Sequence, residues 1–241
     1  MAGHSKWAQI KHRKALTDSK RGRLFSKLSR EITLAAKTAD TNPELNARLR
    51  TAMDRAKNAG MPKDNIERAI ERATKSGAGE NLFEVLYEAS APGGIAIIIE
   101  GITDNKNRTH SELKHLLQEH GARMAAPGSL LWNFEKIGVL ELNQAPQQAK
   151  EECELAIIDA GARDFSFEDG AWVVETNFLD QETAREALKR AGLDVTKISH
   201  DYKAKNYINV PSQEKETLLK LLDALLEHDD VQEVYTNIMN L

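Results

Sequence analysis

Ten lysines and arginines stand among the first forty residues, at Lys6, Lys11, Arg13, Lys14, Lys20, Arg21, Arg23, Lys27, Arg30 and Lys37, against Asp18, Glu31 and Asp40, a net charge of +7. Cations at this density neutralise phosphates and release their counterions. Trp7 adds an indole able to stack on a base, although a large aromatic three residues before Ile10 is read first as an anchor of the arm against a helical core. The candidate nucleic-acid contacts are therefore Lys6, Trp7, Lys11, His12, Arg13, Lys14, Lys20, Arg21, Arg23, Lys27 and Arg30. Up to Ser76 the chain carries +10 and beyond it −14, which together make the overall −4. Such segregation fits a basic portion that meets a polyanion and an acidic portion that contacts protein. It equally fits two portions that attract each other.

Other chemistries find less support. Gly77-Ala78-Gly79 and Pro92-Gly93-Gly94 lack the Gly-Lys-Ser/Thr ending of a nucleotide loop and the spacing of a dinucleotide fingerprint. They read as a linker and a hairpin turn. His110, His115 and His120 recur every five residues, which scatters them around a helix, so no metal site is expected. Glu100, Asp104 and Glu112 offer acids for a magnesium-dependent nuclease, a remote alternative because no nucleophile, base and orienting group assemble from the spacing. No cofactor and no enzymatic activity are expected. The polar loop around Asp104, Asn105, Asn107 and Arg108 lies between an apolar strand and a helix and is a candidate partner contact, with a structural turn as the plain reading.

These residues need elements to position them. Ser19 to Ala39 repeats at helical spacing, with Leu24, Phe25, Leu28, Ile32, Ala35 and Ala36 on one side and Lys20, Arg23, Lys27, Arg30 and Lys37 nearly opposite, as an outer cationic stripe. Asp18 is the expected N-cap. Asn42-Pro43-Glu44 opens a second helix ended by Gly60, and a third runs from Pro62 to Gly77. Past Ser76-Gly77-Ala78-Gly79 the period shortens. Strands are expected at Phe83 to Ser90, Gly94 to Thr103 and Leu130 to Phe134, around a helix at Thr109 to His120. From Gly138 to Tyr202 the order is β-α-β-β-α-β, the split βαβ or ferredoxin-like order. Ser212 caps a leucine-rich helix, and Val231 to Tyr235 is a last strand.

The expected fold class is α+β with three domains: a basic helical domain over 1–76, a discontinuous α/β domain over 81–136 plus 206–241, and a ferredoxin-like domain over 137–205 inserted into it. Both α/β domains are expected to be ferredoxin-like. A chain of 241 residues with 41% hydrophobic residues has length enough for that. Cys153 is the sole cysteine, which excludes an intrachain disulfide and a thiolate zinc cage. No apolar run approaches a membrane span, and the start lacks a secretory core, so a cytoplasmic protein with no membrane partner is expected.

Met-Ala-Gly-His-Ser-Lys-Trp over 1–7, Ile10-Lys11-His12-Arg13-Lys14, Lys20-Arg21-Gly22, Arg30-Glu31-Ile32, the run from Met61 to Ile70, Pro92-Gly93-Gly94, and Thr103-Asp104-Asn105 with Asn107-Arg108-Thr109 closely resemble the YebC family. The resemblance covers essentially the full chain and is most specific in the first 76 residues. It implies three domains, a helical one first, in a cytoplasmic bacterial protein. It implies either transcriptional regulation through DNA binding or translational activation through ribosomal RNA in the ribosome.

Overall fold

A computed structural model describes residues 18–74, 81–143, 149–168 and 170–239. Among them the chain forms two compact units, one over Phe134–Lys205 and the other from the remainder. The second of these holds the basic segment.

Three helices open it: α1 (Asp18–Thr38), α2 (Ala47–Asn58) and α3 (Lys63–Thr74). Leu28, Ile32, Ala35 and Ala36 of α1 meet Leu49, Ala52 and Ala56 of α2 and Ile66 and Ala69 of α3 in one buried cluster. The alanines let the helix axes approach closely, which compensates for a short apolar list. Asn42-Pro43-Glu44 does not open α2, contrary to expectation. Asn42 accepts from the Glu44 N–H and Asp40 from the Asn42 N–H, so the segment closes local turns. The cap is Asn46, whose side chain accepts from Leu49 N–H at 3.0 Å while its amide donates to Ala35 O at 2.9 Å and to Asp40 O. A buried amide that serves two helices at once outcompetes the local Asn-Pro signal.

Next come β1 (Phe83–Ala91) and β2 (Ile95–Thr103), antiparallel and joined by a turn at Pro92–Gly94 in which Gly93 and Gly94 take φ of 78° and 81°. These left-handed values are the reason both positions are glycine. Helix α4 (Lys106–Glu119) and the two-residue strand β3 (Arg123–Met124) follow. The expected strand at Leu130 to Phe134 is instead a loop and a short 3₁₀ turn over Leu131–Asn133, and the missed β3 pairs with β1. After the unit over Phe134–Lys205, α7 (Ser212–Glu227) and β8 (Val231–Thr236) complete a sheet ordered β3-β1-β2-β8. This corrects the ferredoxin-like expectation for the first sheet. The β1-β2 hairpin lies at its centre, whereas the ferredoxin-like order puts its hairpin at one side. Ile95, Ile97 and Ile99 face Leu113, Leu117, Leu222 and Leu225 of α4 and α7. Ile98, fully buried on the other face, shows that this sheet is covered on both sides, and α1 packs against β2.

The unit over Phe134–Lys205 contains β4 (Phe134–Asn143), α5 (Lys150–Asp159), β5 (Asp164–Glu168), β6 (Ala171–Asn177), α6 (Gln181–Arg190) and β7 (Val195–Ala204). Its order β5-β6-β4-β7, all antiparallel, is the split βαβ order. Leu140, Leu142, Trp172 and Val174 pack on Cys153, Ile157, Ala184 and Leu188, so Cys153 serves here as a small apolar side chain.

Gly101 of β2 marks where the first sheet is tightest. A Cβ there would lie 2.6 Å from Asp230 O and 3.1 Å from Val85 Cγ2, beside the 2.8 Å bond from Ile102 N–H to Asp230 O. Because the nearest obstacle is backbone, Gly101→Ala is expected to destabilise the protein by about 1–3 kcal/mol in chemical denaturation. A wild-type midpoint would show that β8 moves aside freely.

Candidate nucleic-acid interface

Helix α1 carries the described part of the basic run. Lys20, Arg21 and Arg23 are exposed at its start. Lys20 Nζ lies 3.5 Å from one oxygen of Glu227 and Arg23 Nη1 3.6 Å from the other, each partner about half-exposed. Ion pairs this open and long contribute between nothing and about 1 kcal/mol. Lys6, Trp7, Lys11, His12, Arg13 and Lys14 lie outside the described residues.

Farther along, two residues of the outer stripe, Lys27 and Arg30, turn inward, while Lys37 is exposed. Lys27 is 7% exposed and its Nζ donates to Leu226 O at 2.6 Å, at the end of α7. Arg30 Nη1 donates to Asp229 O at 2.8 Å and to Asp230 Oδ1 at 2.7 Å. Both were expected as nucleic-acid contacts, and both instead bind the C-terminal part of their own chain. The physical reason is a helix with three surroundings: α2 and α3 on one side, β2 and α7 on another, and solvent on what is left. Helical periodicity separates apolar from charged sides but does not say which partner a charge meets.

Asp230 is the centre of this contact. It is 2% exposed, and its Oδ2 accepts from Arg108 Nη2 at 2.8 Å, Thr109 Oγ1 at 2.7 Å and Thr103 Oγ1 at 3.2 Å. Burial alone would push its carboxyl up. The hydrogen bonds from Thr109 and Arg108 and the charges of Arg30 and Arg108 outweigh burial and hold it below the ordinary aspartate range. Asp104 pairs with Arg108 at 2.7 Å, and Asn105 caps α4 by accepting from Arg108 N–H at 3.1 Å. Thus Asp104, Asn105 and Arg108 of the candidate partner loop work chiefly inward, as the structural turn. Asn107 is exposed on the first turn of α4.

A second pairing stands beside it. Arg55 of α2 joins Glu31 of α1 at 2.9 Å and Glu233 of β8 at 3.1 Å. The Glu31 charge prevails over burial and, with Glu233, raises the Arg55 pKa above its usual value.

An open cleft of about 810 Å³ lies over this junction, lined among others by Arg23, Arg30, Arg108, Glu112, Glu227 and His228. Its charges are mixed and mutually paired. His228 Nδ1 accepts from Asp230 N–H at 3.2 Å, which leaves Nε2–H to donate to Glu112 at 3.2 Å. Among the described residues, Glu112, His228 and Asp230 are the one group close enough to hold a metal ion together. Asp230 already gives its oxygens to two guanidiniums and two hydroxyls, so a cation there would have to displace an arginine. The nuclease candidates Glu100 and Asp104 are not part of that group. Tyr235 donates to Glu100 at 3.1 Å, and Arg108 holds Asp104.

Asp230 and His228 had no signal in the sequence, because their side-chain partners in other elements lie between 116 and 200 residues away. Only the charge segregation hinted at a contact between the two portions.

With this geometry in view, comparison with known proteins decides the family. Residues 5–76 match the TACO1/YebC protein N-terminal domain, and residues 82–238 match the TACO1/YebC second and third domain. The chain belongs to the TACO1/YebC family. Relatives include a "Probable transcriptional regulatory protein" of Thermoanaerobacter pseudethanolicus, 42% identical over 99% of this chain and 97% of that protein. Another protein of that name, from Fervidobacterium nodosum, is 46% identical over 98% of this chain and 93% of its own length. The crystal structure of a conserved hypothetical protein from Aquifex aeolicus superposes with a TM-score of 0.86 at 39% identity, covering 98% of this chain and 97% of that one. This chain combines helices with two antiparallel sheets. No described helix is long and apolar enough to cross a membrane.

Because the folded-state pKa of Asp230 is lowered, its stabilisation is complete above the ordinary aspartate value of about 4 and is lost as pH falls through the folded value. Asp230→Asn is expected to lower stability by about 1–3 kcal/mol at pH 7, less than a sealed ion pair because both arginines reach solvent. Denaturation measured from pH 7 to pH 3 should also show a smaller acid-dependent loss in the variant. Equal acid sensitivity in the two proteins would remove Asp230 from this role.

Proposed function

We propose that this chain is a non-enzymatic, cytoplasmic regulator of gene expression that binds nucleic acid through its basic N-terminal segment. Membership of a family whose relatives bear the name "Probable transcriptional regulatory protein" carries the reading. In support, the exposed start of α1 continues a run of cations that no family of acids opposes in sequence: Lys6, Lys11, Arg13 and Lys14 lead into Lys20, Arg21 and Arg23. The ion pairs to Glu227 are weak enough for a phosphate to displace. In this reading the chain has three domains, over 1–76, 81–136 with 206–241, and 137–205. The basic one grips the polyanion, and the acidic α/β domains contact protein.

The ligand is DNA in the first version of this reading and ribosomal RNA, within the ribosome, in the second. One observation favours the second. Lys27, Leu28, Ser29, Ile32, Thr33, Leu34, Ala35 and Ala36 of α1 are all buried, so the middle of the cationic helix has no free face to lay in a major groove. Contacts confined to its start and to the residues before it suit phosphates read by shape.

Binding to duplex DNA and to a ribosomal RNA fragment, titrated with salt, tests both versions. Reversing Lys11, Arg13 and Lys14 together with Lys20, Arg21 and Arg23 to glutamate is expected to abolish most binding. Reversing only the second three should reduce the slope of log K against log salt by roughly 2–3. Wild-type affinity and slope in the six-residue variant would sink the proposal. Intact labelled RNA and DNA after incubation with magnesium are expected alongside; cleavage would reinstate the nuclease.

A further inference from the structure

Strand β1 is covered by a neighbour over only half its length. On its outer side β3 pairs with Ala89 and Ser90 and no farther, and the ladder ends where Ala125 N–H donates to Glu88 O at 2.7 Å. The chain leaves the edge there because the buried Glu88 carboxylate gathers the amides of Gly128, of Leu130 at 2.6 Å and of Leu131 at 2.9 Å into a loop. Among the described residues no strand lies beside Phe83–Tyr87 on that side.

Hydrogen bonds at both margins of the sheet fix which backbone groups this edge offers. Ala96 and Ile102 of β2 bond away from β1, to Asn237 and to Asp230. The residues opposite them, Ser90 and Glu84, therefore turn their own N–H and C=O away from β2. Alternate residues of a strand bond in the same direction, so Leu86 and Glu88 point outward too, as the bond to Glu88 O shows. Ala125 has taken Glu88 O. The N–H and C=O of Glu84 and Leu86 point out of the sheet with no backbone partner among the described residues.

Helix α4 runs beside this edge. Tyr87 OH donates to Lys106 O at 3.2 Å and the Tyr87 and His110 rings lie 5.8 Å apart, which fastens helix to strand. Between them an open groove of about 380 Å³ is lined by Glu84–Tyr87 on one side and by Lys106, Asn107 and His110 on the other. Asn107, which the candidate partner loop leaves exposed, thus belongs to the groove. A strand edge with a helix along it takes up an extended peptide: main-chain bonds add the peptide to the sheet, and its alternate side chains meet the two flanks.

Charge selects the peptide. Lys106 is exposed, its Nζ lies 4.9 Å from the centre of the Phe83 ring, and it has no acid partner among the described residues. Glu84, the acid nearby, is paired with Arg48 of α2. Leu86, 39% exposed, presents an apolar surface on the opposite face of the strand. Like charge at a docking site is costly and opposite charge steers, so Lys106 turns away cationic strands and draws acidic ones. Phosphates would also be drawn to Lys106, but they supply acceptors only and would leave the two outward carbonyls without donors.

We propose that this groove binds an extended acidic segment of a partner protein. The segment pairs with Glu84 and Leu86 of β1, its carboxylates toward Lys106 and its alternate, apolar side chains over Leu86. The proposal rests on the reading that the α/β portion contacts protein, and it gives that contact a place and a chemistry. It is independent of the basic N-terminal segment.

Anisotropy of a labelled peptide of alternating glutamate and valine, titrated with the full chain, tests it. Replacing the glutamates by lysine should weaken binding at least tenfold. N-methylation of alternate amides, in one of its two frames, should do the same, because it removes main-chain donors and leaves charge unchanged. Lys106→Glu is expected to reverse the preference between the acidic and basic peptides. Leu86→Pro deletes an outward N–H that the β1–β2 ladder does not use, so it should cost at least tenfold in peptide affinity while thermal melting shows the fold retained. If that variant folds poorly, Lys106→Glu and the methylated peptides decide the matter. Nucleic-acid affinity, measured on the same proteins, should not change, which separates failure of this site from failure of the N-terminal reading. A wild type that binds neither peptide, or that binds the acidic peptide equally well with either set of amides methylated, overturns the proposal. So does wild-type self-association that Leu86→Pro abolishes, which makes a second copy the occupant, or weaker RNA or DNA binding by Lys106→Glu, which gives the groove to nucleic acid.

Discussion

A single carboxylate ties the basic helix to the acidic sheet. Asp230 stands at the start of β8 and receives Arg30 from α1, Arg108 and Thr109 from α4, and Thr103 from β2, so four elements converge on one buried residue. A buried charge is costly unless its lone pairs are filled. Here they are filled from both directions along the chain, and that requirement fixes where α1 must lie. Arg55, between Glu31 and Glu233, adds a second point of attachment from α2. Two attachment points restrict rotation as well as translation, which one cannot. The packing of α1 against β2 then follows from placement that the polar contacts specify.

The charge segregation legible in the sequence has therefore two causes. Part of it is the attraction of one portion of the chain for another, through Lys27, Arg30 and Arg55. Part remains turned to solvent, at Lys20, Arg21 and Arg23. In composition these residues are alike. Their fates differ because Lys27 and Arg30 lie beside Leu28 and Ile32, at the level where α7 ends and β8 begins, while Lys20 and Arg23 lie one to two turns earlier, against the single exposed acid Glu227.

Local periodicity explains why so many elements could be read in advance. The apolar run from Ile95 to Ile99 and the spacing of Leu113 and Leu117 reflect backbone geometry that acts within a few residues. The β-α-β-β-α-β order ahead of α7 was likewise visible in patterning, and the sheet over Phe134–Lys205 has the strand order that goes with it. Legibility ended where a partner lies far off in sequence. Asn46 replaced Asn42 as the cap of α2 because it also holds Ala35 O, and Leu130 left the strand pattern because Glu88 gathers its amide. The central position of the β1-β2 hairpin depends on β3 and β8 joining from opposite sides, one of them across the whole Phe134–Lys205 unit. At the candidate site, the exposed cations were legible as cations, but Asp230 and His228 were not, since each is defined by contacts across more than a hundred residues.

The gradient along α1 bears on how a polyanion would be held. A phosphate competing for Lys20 or Arg23 displaces a half-exposed carboxylate whose pairing is worth at most about 1 kcal/mol. Competing for Arg30 would strip the buried Asp230 of one of its two guanidinium partners, at a greater cost. Ligand contacts should therefore end near Arg23, and the junction between helix and sheet should remain closed as binding occurs.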